Sequence, residues 1–146
     1  MQYRQGRVGR VVVAKVEHED DLLQELEKLL MAEDIKAAVI YLLGALKQAA
    51  VVVGPEKCVV PPEPVWTGFG DGREVLGLAT AFRDLNGQPV IHMHATMGRG
   101  EQVMTGCIRR DARVYLVMEI IVMEIADIDV VRKTDEITGL QLLGFI

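Results

Sequence analysis

The sequence contains no serine. A serine nucleophile on a strand-to-helix elbow is therefore excluded. Cysteine is scarce: Cys58 and Cys107 are the only two. They make no disulfide framework, and both are expected reduced in a cytoplasmic chain. No apolar run approaches the ~20 residues of a membrane span. The longest, Ala37–Leu43 and Val114–Ile125, are short, and Glu119 and Glu124 break the second. The first residues carry some positive charge but no apolar signal-peptide core follows, so no membrane partner is expected. Basic residues are outnumbered 16 to 21, giving a net charge of −5. That balance disfavours direct nucleic-acid binding as the main role. No Gly-Lys-Ser/Thr loop occurs, and no Gly-x-Gly-x-x-Gly leads from a strand into a helix. Gly68–Gly72 is glycine-rich but runs into a strand pattern, so it is no phosphate cradle.

The 146 residues are half hydrophobic and 25% charged, as in one ordinary globular domain. Arg7–Val16 is valine-rich and reads as a strand. A helix is predicted from Asp20 to about Ala32, because Leu22, Leu23, Leu26, Leu29 and Leu30 share one face. The acidic residues Glu17, Glu19, Asp20 and Asp21 suit the positive end of its dipole. Ile35–Leu43 and Leu46–Val53 read as strands separated at Gly44, a position for a bulge or a close backbone approach. Four of the five prolines fall within Pro55–Pro64, so Pro55–Asp71 is expected to be a loop. Arg73–Arg83 and Pro89–Met97 form a hairpin about Asn86-Gly87. After a turn at Gly98–Glu101, Ala112–Ile125 is apolar at both parities, which predicts burial on both faces, one of them against another subunit. The tail adds strand patterns at Ile128–Val131 and Leu140–Ile146. The class is α+β, a mainly antiparallel sheet with one early amphipathic helix.

His92 and His94 are the sharpest feature. Residues i and i+2 of a strand point to the same face, so two imidazoles lie side by side. If the chain doubles back at Gly98–Gly100, Cys107 faces them. Two imidazoles and a thiolate are a competent zinc set with a fourth position open; copper, nickel or iron also suit such donors. The plainer alternatives are a hydrogen-bonded histidine pair and a buried cysteine acting as a small hydrophobe. Glu74 opens the strand that pairs with the histidine strand. It is a candidate general base or support near the metal, against the plainer reading of an exposed strand-end carboxylate. His18 reads as a solvent-exposed helix-entry residue. Arg109, Arg110 and Arg113 form a basic cluster able to bind an anionic substrate near Cys107 or to pair with carboxylates of a neighbouring subunit.

Several segments together resemble the plants and prokaryotes conserved (PPC) domain. Gly6-Arg7 with its valine strand and the Glu19–Leu23 helix start resemble that domain's opening. Leu43-Gly44-Ala45-Leu46 is similar to its Gly-Ala-Leu element. Gly72-Arg73-Glu74-Val75-Leu76 resembles Gly-Arg-Phe-Glu-Ile-Leu with one residue fewer. Asn86–Ala95 resembles Gly-x-Pro-x-x-His-x-His-Ala, and Gly106-Cys107 stands at a later Gly-His step. The resemblance spans about residues 6–125. It implies an antiparallel α+β domain assembled as a homotrimer, with zinc at His92, His94 and, in place of the usual histidine, Cys107. It leaves open two roles, a small-molecule or catalytic site of unknown substrate or a protein-interaction and regulatory module, with DNA-associated regulation a distant third. DNA binding in plant relatives belongs to a separate Arg-Gly-Arg-Pro hook. Gly98-Arg99-Gly100-Glu101 lacks its second arginine and its proline.

Overall fold

A computed structural model describes residues 1–146. In chain order it contains β1 (Arg7–Glu17), α1 (Leu22–Ala32), β2 (Ala37–Pro55), β3 (Pro64–Phe69), β4 (Arg73–Arg83), β5 (Pro89–Arg99), β6 (Gln102–Ala126), β7 (Val130–Thr134) and β8 (Gln141–Phe145). The expected class holds: a mainly antiparallel sheet with one short helix. The order across the main sheet is β1-β6-β5-β4-β2-β3, and β6 pairs with β2 as well. That extra pairing closes β2, β4, β5 and β6 into a ring around the core. β7 and β8 form a separate hairpin.

The helix starts where Asp21 caps it. The Asp21 carboxylate accepts a hydrogen bond from the Gln24 backbone N–H at 3.1 Å, satisfying a donor that the first turn leaves free. Its Leu22, Leu26 and Leu30 are at most 1% exposed and sit on the inner face of the ring. There they meet Ile40 and Leu42 of β2, Ala79 of β4, Met93 and Met97 of β5, and Met118, Ile120 and Val122 of β6 in one core. Of the acidic residues before the helix, only Asp21 caps it. Glu19 instead accepts a hydrogen bond from Lys47 at 2.6 Å.

Two strands are longer than the sequence pattern suggests. The patterns at Ile35–Leu43 and Leu46–Val53 fall, from Ala37 on, in one 19-residue strand, β2, with a register shift against β6 just past Gly44. A Cβ at Gly44 would lie 2.3 Å from the Val117 carbonyl oxygen, so β2 and β6 touch there as only glycine allows. β6 runs for 25 residues and bends at Asp111 and Leu116, both with positive φ. Its first part pairs with β5 and its later part with the start of β2.

One expectation is corrected. Pro55–Asp71 is not all loop: Pro64–Phe69 pairs with Ala49–Pro55 as the edge strand β3. Proline is tolerated there because an edge strand needs only one set of ladder hydrogen bonds. Within the single chain the strand around 112–125 buries one of its two apolar rows. Val114, Met118, Ile120 and Val122 are buried, whereas Ile121 and Leu116 are exposed. Ile121 lies level with Tyr41 and Val13, and Tyr41 with Leu78. These side chains, with Leu43 and Leu76, make an exposed apolar row across the outer face. The β7–β8 hairpin covers one end of that face, packing Val130 and Phe145 on Ala37 and Phe82.

One ion pair at the sheet edge sets an acid response. Arg10 Nε lies 2.9 Å from Glu124, and the Arg10 backbone N–H donates to the same carboxylate at 3.0 Å. These bonds hold the Glu124 pKa at about 2, down from its ordinary 4.5. A carboxyl whose pKa is lowered on folding stabilises the fold above its unfolded pKa, and the gain is lost as pH falls toward the folded one. Melting temperature should therefore fall between about pH 4.5 and 2, and the Glu124→Gln variant should show a shallower fall. Equal slopes in thermal melts of the two proteins would contradict this.

Candidate metal centre

The β5–β6 hairpin builds the centre. Met93 faces Ile108, His94 faces Cys107, Ala95 faces Gly106 and Thr96 faces Thr105. Directly opposed residues of antiparallel strands share a face. Met93 and Ile108 therefore point into the core, and His94 and Cys107 point outward together. His92 joins His94 through the two-residue strand period. On the next rung Thr96 and Thr105 share a hydroxyl–hydroxyl bond of 2.9 Å, which fixes the hairpin on this face.

The donor atoms of His92, His94 and Cys107 all lie within 4.8 Å of one another. The two imidazole Nε2 atoms are 3.1 Å apart, with the rings edge to face. Two nitrogens bound tetrahedrally to one zinc at ~2.05 Å would be about 3.3 Å apart. The spacing thus suits a hydrogen-bonded pair and, after a shift of a few tenths of an ångström, a pair of ligands. Both cysteines are free, Cys107 buried and Cys58 exposed. The three expected ligands are together, and their chemistry fits a borderline-soft divalent ion.

Protonation leans the same way. Burial lowers the His92 pKa, helped by the neighbouring His94 and then by Arg132 and Arg109. His92 therefore stays neutral, with a lone pair free, further into acid than an ordinary histidine. Burial raises the Cys107 pKa, partly opposed by Arg109. Its thiol keeps its proton at neutral pH until a cation displaces it.

Glu74 does not reach this cluster. It is opposite Gly98, whereas His94 is opposite Leu78 and His92 opposite Thr80. Glu74 shares their face but lies four residues along β4 from Leu78, about 13 Å at ~3.3 Å per residue. Hairpin pairing brings strand ends together, and Glu74 lies at the far end from the histidines. It lines a cleft of about 860 Å³ with His18, Asp71, Arg73 and Tyr115. His18 is more than a helix-entry residue: its Nδ1 accepts from the Leu116 backbone N–H at 3.1 Å, at the bend of β6. The arginine cluster separates. Arg110 stacks on Trp66 with 4.9 Å to the ring centre, and Arg113 donates to the Glu19 carbonyl at 3.2 Å. Arg109 alone remains by the site, two residues beyond Cys107 on the same strand face.

Sequence reasoning missed Arg132. It arrives from β7, and its Nη2 donates to Thr80 Oγ1 at 3.0 Å. Thr80 is the residue opposite His92. The strand pattern at Ile128–Val131 pointed to the segment but stopped one residue short, and no local spacing marks a contact with β4 52 residues away.

The fold has relatives of known structure. A metal-containing protein from Archaeoglobus fulgidus is 22% identical, with TM-score 0.85 and coverage of 100% of this chain and 99% of that one. A plant- and prokaryote-conserved protein from Pyrococcus horikoshii is also 22% identical, with TM-score 0.84 and the same coverage. A candidate DNA-binding protein from Ralstonia eutropha is 20% identical, with TM-score 0.75 and coverage of 92% and 90%. No curated protein matches the sequence significantly. The model of one family, the Plants and Prokaryotes Conserved (PCC) domain, matches residues 3–126, from ahead of β1 to the end of β6 and including all three donors. The chain belongs to the PCC domain family.

Proposed function

We propose that the chain is a metal-binding domain protein whose ion, zinc by preference, is held by His92, His94 and Cys107. The observation that carries this reading is the convergence of three donors within 4.8 Å on one face of a fixed hairpin. The metal-containing Archaeoglobus relative supports it. Three protein ligands leave a fourth position for water or a small molecule, whereas a structural zinc normally has four protein ligands. Zinc there would supply Lewis acidity, moderated by the thiolate. The residues' own parts are to hold the ion, to keep His92 neutral, and to give up the Cys107 proton. Glu74 has no place in this site. In a competition titration, wild-type protein should bind one zinc per chain, with one proton released and affinity rising with pH. Absence of saturable binding would refute the reading.

The same reading makes the protein a cytoplasmic homotrimer, its two free cysteines in keeping with that compartment. The exposed row of Val13, Tyr41, Leu43, Leu76, Leu78 and Ile121 supports self-association, since contiguous apolar patches on soluble proteins mark contacts. Sedimentation should give three times the chain mass, and Ile121→Glu should reduce it to one. A monomeric wild type would contradict this. That row also supports the second role, a trimeric interaction module in which the metal only braces the hairpin. The net charge of −5 does not favour nucleic acid as the partner.

A further inference from the structure

Arg132 is the only charged side chain in the buried set, 7% exposed. It forms no ion pair with any carboxylate. Two of its donors are used, Nη1 on the Gln141 carbonyl at 3.2 Å and Nη2 on Thr80 Oγ1 at 3.0 Å. Its Nε is the one buried side-chain nitrogen or oxygen in the molecule without a hydrogen-bond partner. The guanidinium also lies over the Phe82 ring, 5.6 Å from its centre. A buried guanidinium stays charged, and leaving it without a counter-charge is costly.

The location of that charge is informative. Thr80 anchors it on the rung of His92, and cross-strand neighbours have Cβ atoms about 5 Å apart. Arg109 of β6 is exposed and equally free of any ion pair, on the strand face that carries Cys107. Two cations, from β7 and β6, therefore lie beside the histidine pair with no carboxylate among them. Arg109 can serve a divalent cation by favouring the Cys107 thiolate, but the buried, carboxylate-free charge of Arg132 only opposes the ion. The unpartnered charge of Arg132 is explained by an anion that shares the site.

We propose that the open position of this centre takes an oxyanion, the carboxylate or phosphate group of a small molecule, held by Arg132 and Arg109 beside the metal. This rests on the metal reading above and names the ligand class of the same site. The planar fork of arginine matches both groups, and Arg132 is fixed in orientation by Thr80 and Gln141 before the ligand arrives.

The test uses the full chain loaded with cobalt(II), whose visible bands report a change at the open position. Acetate and inorganic phosphate are titrated separately at constant ionic strength. At least one should shift the bands saturably, and the stronger of the two identifies the source of the oxyanion. Arg132→Met should weaken that anion by about tenfold or more, the worth of a charge-assisted hydrogen bond. Arg132→Lys should fall between, and Arg109→Gln should weaken it several-fold on an exposed site where folding is not at issue. All three should still load with cobalt, with affinity unchanged in Arg132→Lys, which keeps the charge, and unchanged or tighter in Arg132→Met, which removes a repelling one. If Arg132 only locks the hairpin, Arg132→Met lowers the melting temperature while the folded, cobalt-loaded protein binds the anion as wild type does. That result, an unchanged Arg109→Gln, or cobalt bands indifferent to both anions would overturn the proposal while leaving the metal reading intact. Failure to bind cobalt would remove both.

Discussion

Gly44→Ala should destabilise the protein by roughly 3 kcal/mol or more, at the upper end of what overpacking costs. The new Cβ would meet the Val117 carbonyl oxygen at 2.3 Å and the Met118 Cα at 2.9 Å. Both are backbone atoms, so no rotamer change relieves the clash. β2 and β6 would have to separate where their register slips, and Met118, wholly buried beside the helix, would lose its packing. Gly70→Ala is the control. A Cβ there has nothing within 4 Å, so its effect should stay within about 0.5 kcal/mol. Urea denaturation of both variants measures the difference. A Gly44→Ala protein as stable as Gly70→Ala would show that β2 and β6 do not make this contact.

His94→Ala should weaken zinc binding by at least about a hundredfold, beyond the 10–100-fold that changes to residues supporting a ligand usually cost. His94 is the middle of the set: it contacts His92 at 3.1 Å and stands opposite Cys107 in the hairpin. Its removal leaves two donors on separate strands. Its ring is exposed, so the fold should survive with little change in melting temperature. Cys107→Ser should separate the two possible roles of the cysteine. As a ligand, it takes zinc affinity down with it. As a small buried hydrophobe, it costs stability at the β5–β6–β2 junction but leaves the affinity as it was. Competition titration with a chromophoric chelator reads both variants.

The part of the centre that was legible in the sequence was the part set by local geometry. The two-residue strand period places His92 with His94, and the Gly98–Gly100 turn fixes a hairpin register that brings Cys107 opposite. The leucine spacing of the helix and the close approach at Gly44 were legible for the same reason. What was hidden depends on distant pairing. β3 was masked because prolines mark loops and edge strands alike. Glu74 was placed near the histidines because its strand pairs with theirs, but antiparallel register sends its end of β4 to Gly98. Val114–Ile125 carries apolar residues at both parities, yet a single chain buries only one row. Arg132 was invisible because its role arises only when the terminal hairpin folds back over Phe82 and Thr80.

The metal content of untagged wild-type protein, by elemental analysis against chain concentration, tests the central claim most directly. The account predicts close to one transition-metal ion per chain, zinc foremost, with His92→Ala and Cys107→Ala purified alongside and both depleted. A wild-type protein that carries no transition metal, and takes up none on incubation with zinc, would contradict it. His92 and His94 would then be a hydrogen-bonded pair on the outer face of the sheet.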